Sequence, residues 1–130
     1  MNRRPPVVAL DGPASSGKSS VGAALAAALG LRFLDSGLLY RALARAALDH
    51  GVDPADGPRV ARLATRVAIE ADDQGRLDRV RIDGRAAGSR IRTPEVDRVV
   101  SDVARASEVR AVLLARQREL VEGGGRSPPQ

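Results

Sequence analysis

The only lysine in this 130-residue chain is Lys18. It lies in Gly12-Pro-Ala-Ser-Ser-Gly-Lys-Ser19, followed by Ser20, a run with the spacing G-x-x-x-x-G-K-[ST]. Each part of that pattern has a physical reason. Gly12 and Gly17 let the backbone turn tightly and approach phosphate oxygens. Pro13, Ala14, Ser15 and Ser16 complete the arc. The N–H groups of the loop then turn inward as an anion nest at the positive end of the following helix. Lys18 is a compact charge that can reach the β- and γ-phosphates of a nucleoside triphosphate, and the Ser19 hydroxyl suits Mg²⁺. A chance match in a chain of this length is expected about 1% of the time or less. The glycine spacing does not fit a dinucleotide-binding turn, and a protein kinase would carry its lysine on a separate strand. The loop on its own calls for a nucleoside triphosphate, with Mg²⁺.

The remaining composition narrows the chemistry by exclusion. There is no cysteine and one histidine, His50, so thiolate sites, cysteine nucleophiles and His-based triads are ruled out. Phe33 and Tyr40 are the only aromatic residues, which leaves a core of Ala, Leu and Val and disfavours base stacking. The net charge of +5 comes from arginines scattered among acids, so no nucleic-acid partner is expected. No apolar run approaches the roughly 20 residues needed to cross a membrane. Val7 to Leu10 is too short for a signal-peptide core and stops at Asp11. The expectation is a cytoplasmic monomer with no membrane partner. His50 reads as a polar residue near a helix end with no functional role.

The elements that must position the loop follow from pattern. Val7 to Leu10 reads as a buried strand before the loop, and the Ala/Leu-rich run from Lys18 to Leu29 as the helix after it, ended by Gly30. Arg32 to Leu34 is a second short strand leading to Asp35-Ser-Gly37. A helix over about Leu38 to Asp49 places Leu39, Leu43, Ala46 and Ala47 on one face, with Gly51 closing it. A short helix is expected from Pro58 to about Thr65. Val67 to Ile69 and Leu77 to Ile82 read as strands joined around Asp73-Gln-Gly75, and Asp83-Gly84 is a second turn signal. Thr93-Pro94-Glu95 is a helix start: Thr as cap, Pro in the first turn, an acid beside the positive end. That helix runs to about Ala106. Another begins at Ser107, with Val109, Leu113, Leu114 and Leu120 as its apolar stripe, and ends at Gly123-Gly-Gly125.

Beyond the loop, a series of segments carries a resemblance. Leu34-Asp-Ser-Gly37, Leu39-Tyr-Arg41, Ile91-Arg-Thr-Pro-Glu-Val96, Val109-Arg110 and Gln117-Arg-Glu119 follow one another in that order. Together with the loop, from about Val7 to Gly125, the chain resembles the bacterial cytidylate kinases. The Asp-Ser-Gly and Ile-Arg-Thr segments set it apart from shikimate and adenylate kinases.

The resemblance implies an α/β fold of the P-loop nucleoside monophosphate kinase type, with a small antiparallel sheet in the acceptor lobe. It implies transfer of the γ-phosphoryl group of ATP to CMP or dCMP. The corresponding division is 1–36 for the first part of the P-loop core, 37–106 for the acceptor lobe, 107–122 for a core helix and 123–130 for an aberrant tail. Ser36, Arg41 and Arg92 correspond to positions near the acceptor phosphate. Ser101 and Arg110 correspond to positions at the cytosine ring and the adjoining phosphate. Lys18 and Asp35 are the candidate catalytic residues, Asp35 orienting a Mg²⁺-bound water or the acceptor. Guanidinium groups suit a dianionic acceptor because they bind oxyanions bidentately.

After the triple glycine the family pattern continues into a strand and an arginine-bearing lid, whereas Arg126-Ser-Pro-Pro-Gln130 carries two prolines and cannot be a central strand. The expectation is therefore a C-terminally truncated chain with an incomplete parallel sheet. The missing strand would lie between the two found, leaving their facing edges unpaired, and activity would be weak or absent. One origin for the tail is a frameshift: CGT-AGT-CCT-CCN for Arg-Ser-Pro-Pro, read one base on, gives Val-Val-Leu. The alternatives are a non-catalytic nucleotide-binding or unstable fragment, and another small-metabolite kinase such as a shikimate kinase.

Overall fold

The computed structural model describes residues 7–10, 32–71 and 77–122. The phosphate loop, the helix expected after it, the Asp73-Gln-Gly75 turn and the tail from Gly123 lie outside these residues. Strand β1 (Val7–Leu10) pairs in parallel with β2 (Arg32–Asp35), from Val7 opposite Arg32 to Leu10 opposite Asp35. The expectation of a gap for an intervening strand is therefore corrected: the facing edges of β1 and β2 satisfy each other's N–H and C=O groups directly.

Asp35 ends β2 and starts helix α1 (Ser36–Asp49). Its backbone is extended, and its Oδ1 accepts a hydrogen bond from the Gly37 N–H at 3.0 Å. The helix thus begins two residues earlier than its apolar pattern indicates, because a capping aspartate can start a helix on polar and glycine residues. Leu38, Leu39, Ala42, Leu43, Ala44, Ala46 and Ala47 are all buried. The four alanines have no bulk to hold neighbours away, so elements pack around most of the circumference of α1. At its C-terminus the Val52 N–H reaches the Ala47 carbonyl (2.9 Å) and the Gly51 N–H the Leu48 carbonyl (3.3 Å). This is a Schellman ending, with Gly51 at φ +64° and Val52 buried against the helix.

Helix α2 (Gly57–Arg62) is capped by Asp56 and tightens into a 3₁₀ turn at Leu63–Arg66, where a single helix was expected. Strands β3 (Val67–Ala71), β4 (Leu77–Ile82) and β5 (Arg85–Ala86) form an antiparallel sheet in that order. Asp83 (φ +54°) and Gly84 (φ +78°) make the two-residue turn between β4 and β5, both left-handed as a type I′ turn requires. A second 3₁₀ turn, Gly88–Ile91, leads to helix α3 (Pro94–Arg105), where the Thr93 hydroxyl accepts from the Val96 N–H at 3.3 Å. Helix α4 (Ser107–Glu122) follows after Ala106.

Helix α4 corrects its expected stripe. Val109 and Leu113 are buried, but Leu114 is 48% exposed. Leu114 lies about 100° around the helix from Leu113, off the row set by Val109 and Leu113. Arg116 lies nearer that row and is half-buried. Its guanidinium donates to the Val67 carbonyl at 3.0 Å and the Ala64 carbonyl at 2.8 Å, tying α4 to the first 3₁₀ turn and the start of β3. Among the described residues no helix is long and apolar enough to cross a membrane.

Gly57 marks a close approach of α2 to the α3–α4 junction. A Cβ built there would lie 2.8 Å from the Ala106 Cβ and 2.6 Å from Glu108 Oε1. The glutamate can swing away; the alanine is fixed at the α3–α4 junction. Gly57→Ala should therefore lower stability by about 1–3 kcal/mol in a thermal or urea melt, despite alanine's better helix propensity. An unchanged or raised midpoint would contradict this packing.

Candidate functional site

Gly12, Pro13, Ala14, Ser15, Ser16, Gly17, Lys18, Ser19 and Ser20 lie outside the described residues. Asp35, Ser36, Arg41, Arg92, Ser101 and Arg110 are within them, distributed over the end of β2, α1, the C-terminal cap of the second 3₁₀ turn, α3 and α4.

Asp35 and Ser36 stand at the start of α1. The Asp35 carboxylate is held as the helix cap, and Ser36 is 5% exposed. Arg41 is five residues further along, about 140° around the helix axis from Ser36. Its Nη1 donates to the Ile91 carbonyl at 3.2 Å and to Asp97 Oδ1 at 2.7 Å. One guanidinium therefore joins α1 to the second 3₁₀ turn and to the first turn of α3. Its acceptor Ile91 immediately precedes Arg92 in the chain.

Arg92 ends that 3₁₀ turn, its N–H donating to the Ser89 carbonyl at 2.9 Å. Its exposed side chain has no hydrogen-bond or ion-pair partner among the described residues. The turn is held against α1 from its other side too, where Arg90 pairs with Asp49 and Asp49 also takes Arg45 at 3.0 Å.

Ser101 is exposed on α3, one turn beyond Asp97 and one turn before Arg105. Arg110 reaches back from the first turn of α4. Its Nη1 donates to the carbonyls of Ala104 and Arg105, two of the acceptors left open at the end of α3. The α3 row of Asp97, Ser101 and Arg105 thus runs from the partner of Arg41 to the partner of Arg110. Arg41 is tied to the backbone one residue before Arg92, Ser101 lies on α3, and Arg110 reaches the end of α3 from α4. Sequence reasoning missed Asp97. An acid in a first helical turn is already accounted for by the helix dipole, and nothing local links it to an arginine on another helix.

The cytidylate kinase family model matches residues 8–126. The chain belongs to the cytidylate kinase family. It is 45% identical over 122 residues to a cytidylate kinase of Pelotomaculum thermopropionicum, covering 92% of this chain and 54% of that protein. It is 47% identical over 114 residues to one of Thermus thermophilus, covering 88% and 55%. A bifunctional pantoate ligase/cytidylate kinase of Synechocystis is 43% identical over 127 residues, 96% of this chain and 25% of that protein. The chain thus spans about half the length of the cytidylate kinases it matches. The family implies the P-loop nucleoside monophosphate kinase fold, and the described residues form an α/β arrangement with a small antiparallel sheet.

That small sheet carries a polar cluster of its own. His50, at the C-terminal cap of α1, pairs through Nε2 with Asp83 Oδ2 at 2.8 Å, and Arg66 Nη1 pairs with Asp83 Oδ1 at 2.9 Å. His50 therefore has a structural role that its sequence context did not reveal: it ties the end of α1 to the β4–β5 turn. The hydrogen bonds from His50 and then Arg66 hold the Asp83 carboxyl below its ordinary value. A lowered folded-state pKa contributes stability that is fully present above the unfolded value, about 3.9, and is lost as pH falls through the folded value. Asp83→Asn keeps a side chain that tolerates φ > 0 and removes the charge. Its melting temperature should lie below that of the wild type at about pH 5, and the gap should close toward about pH 2. A gap that stays constant over that range would contradict the titration of Asp83.

Proposed function

We propose that the protein transfers the γ-phosphoryl group of ATP to CMP or dCMP, giving CDP or dCDP. The observation that carries this reading is the family match over 8–126 combined with the anchoring of Arg41 to the Ile91 carbonyl, one residue before Arg92. Residues 1–36 supply the first part of the P-loop core, 37–106 the acceptor lobe, 107–122 a core helix and 123–130 a tail. The protein acts as a cytoplasmic monomer on small nucleotides, without nucleic-acid or membrane partners.

The division of labour follows from charge. The loop from Gly12 to Ser20 wraps the donor phosphates, and Lys18 neutralises charge that builds on the transferring group. The hydroxyl of Ser19 is a hard oxygen donor, which suits Mg²⁺; when bound, that ion would screen the phosphate charges. The acceptor phosphate is held by Arg41 and Arg92, with Ser36 at the buried start of α1. Ser101 and Arg110 serve the cytosine ring and the adjoining phosphate. Asp35 acts from the β2–α1 junction, where its carboxylate is already oriented by the Gly37 N–H. Phosphoryl transfer needs two nucleotides held in line and little covalent assistance. A site of arginines, serines and one lysine, without His or Cys, is sufficient for that.

The test is a thermal-shift series on the 130-residue chain with ATP, CMP, dCMP, UMP and shikimate, run beside a coupled kinase assay. CMP and dCMP should stabilise the chain, by about 2.7 kcal/mol at a ligand concentration 100 times Kd. UMP should do less and shikimate nothing. Lys18→Ala should lose the ATP response and any turnover while keeping the CMP response. Stabilisation or turnover with shikimate and not CMP would overturn the reading.

A further inference from the structure

Arg41 makes its side-chain hydrogen bonds to described residues through a single nitrogen. Nη1 donates to both the Ile91 carbonyl and Asp97, whereas Nε and Nη2 have no partner among the described residues. A guanidinium can meet two oxygens of a phosphate side-on through its Nε–Nη2 edge, in parallel N–H···O bonds. The contacts at Nη1 occupy one corner and leave that edge available. Of the two acceptors, the Ile91 carbonyl is neutral and the longer contact, at 3.2 Å. The Asp97 carboxylate is charged and the shorter, at 2.7 Å.

We propose that Asp97 is a positioning residue for phosphate capture: by pinning Nη1 of Arg41, it presents the Nε–Nη2 edge to the phosphomonoester of a nucleoside monophosphate. This rests on the reading of Arg41 as a ligand of the acceptor phosphate. Two effects of Asp97 oppose each other. Its negative charge repels an incoming dianion, and its contact fixes a side chain that would otherwise be immobilised only on binding. Asp97 is 57% exposed and Arg41 only 21%, so water and salt screen the repulsion while the ion pair still orders the less accessible group. Pre-organisation of a long side chain removes an entropic cost of binding, and here it prevails. Truncating Asp97 therefore weakens phosphate binding, although it removes a like charge from beside the site.

The experiment titrates CMP and cytidine calorimetrically into the wild-type chain, Asp97→Ala, Asp97→Asn, Arg41→Ala and the Arg41→Ala/Asp97→Ala double variant. Asp97→Ala should weaken CMP about fivefold and leave cytidine unchanged, and in the Arg41→Ala background it should weaken CMP no further. Asp97→Asn, which keeps an oxygen acceptor for Nη1, should recover part of the loss. Tighter CMP binding by either Asp97 variant would overturn the inference, making Asp97 a mere electrostatic competitor. An equal loss for CMP and cytidine would also overturn it, as would full additivity with Arg41→Ala. A loss on Arg41→Ala with none on Asp97→Ala would overturn the positioning role alone and leave the acceptor reading intact. No effect of Arg41→Ala on CMP, or no CMP binding by the wild type, would overturn the acceptor reading itself and the inference with it.

Discussion

Helix α1 is buried around most of its circumference, and the rest of the described structure depends on that. Ala42, Ala44, Ala46 and Ala47 are fully enclosed, as is Leu43. A larger side chain at any of those alanines would have to displace its neighbours, because close-packed interiors have no spare volume. Burial also requires the ends of the helix to be satisfied locally. Asp35 does this at the start, and the Gly51–Val52 ending does it at the finish. Where a polar side chain leaves this helix, it must do so at a seam between neighbours. Arg41 leaves at the seam with α3 and the second 3₁₀ turn, which is why its guanidinium finds acceptors on both.

The charged contacts around this core have a different character. Arg81 with Glu70, Arg66 with Asp83 and Arg90 with Asp49 are largely exposed pairs, which individually add little to stability. Their use is in register: Arg81–Glu70 ties β4 to β3, Arg66–Asp83 ties the β4–β5 turn to the first 3₁₀ turn, and Arg90–Asp49 ties the second 3₁₀ turn to α1. Arg116 and Arg110 act otherwise, donating to backbone carbonyls: Arg116 to one in the first 3₁₀ turn and one at the start of β3, Arg110 to two at the end of α3. An arginine-rich composition is thus absorbed partly by the fold, and only some of the arginines remain uncommitted among the described residues. Arg92, exposed and without a partner among the described residues, is one of these.

Local grammar made much of this legible in the sequence. Thr93-Pro94-Glu95 announces a helix, Asp83-Gly84 a tight turn and Gly51 a helix end, because each depends on the residue's own backbone preference. The phosphate loop and the Ile91-Arg-Thr and Asp35-Ser-Gly segments pointed to the family for a related reason: their chemistry is written in contiguous residues. What escaped depends on distance in the chain. The direct pairing of β1 with β2, the two-residue β5 and the exposure of Leu114 are settled by which neighbours are present. So is the partnership of Asp97 with Arg41, 56 residues apart, in which neither residue carries a local signal of the other.

The central claim is that α1, the second 3₁₀ turn and α3 together form the seat of an acceptor phosphate. The most direct measurement is a backbone amide NMR titration of the chain with CMP. The account predicts shifts concentrated at Ser36, around Arg41, at Ile91 to Thr93, and along α3 to Ser101. Shifts confined to the open groove formed by Thr65 to Ala68 with Arg81, Asp83 and Gly84 would contradict it. So would saturating CMP that leaves Arg41 and Arg92 unmoved.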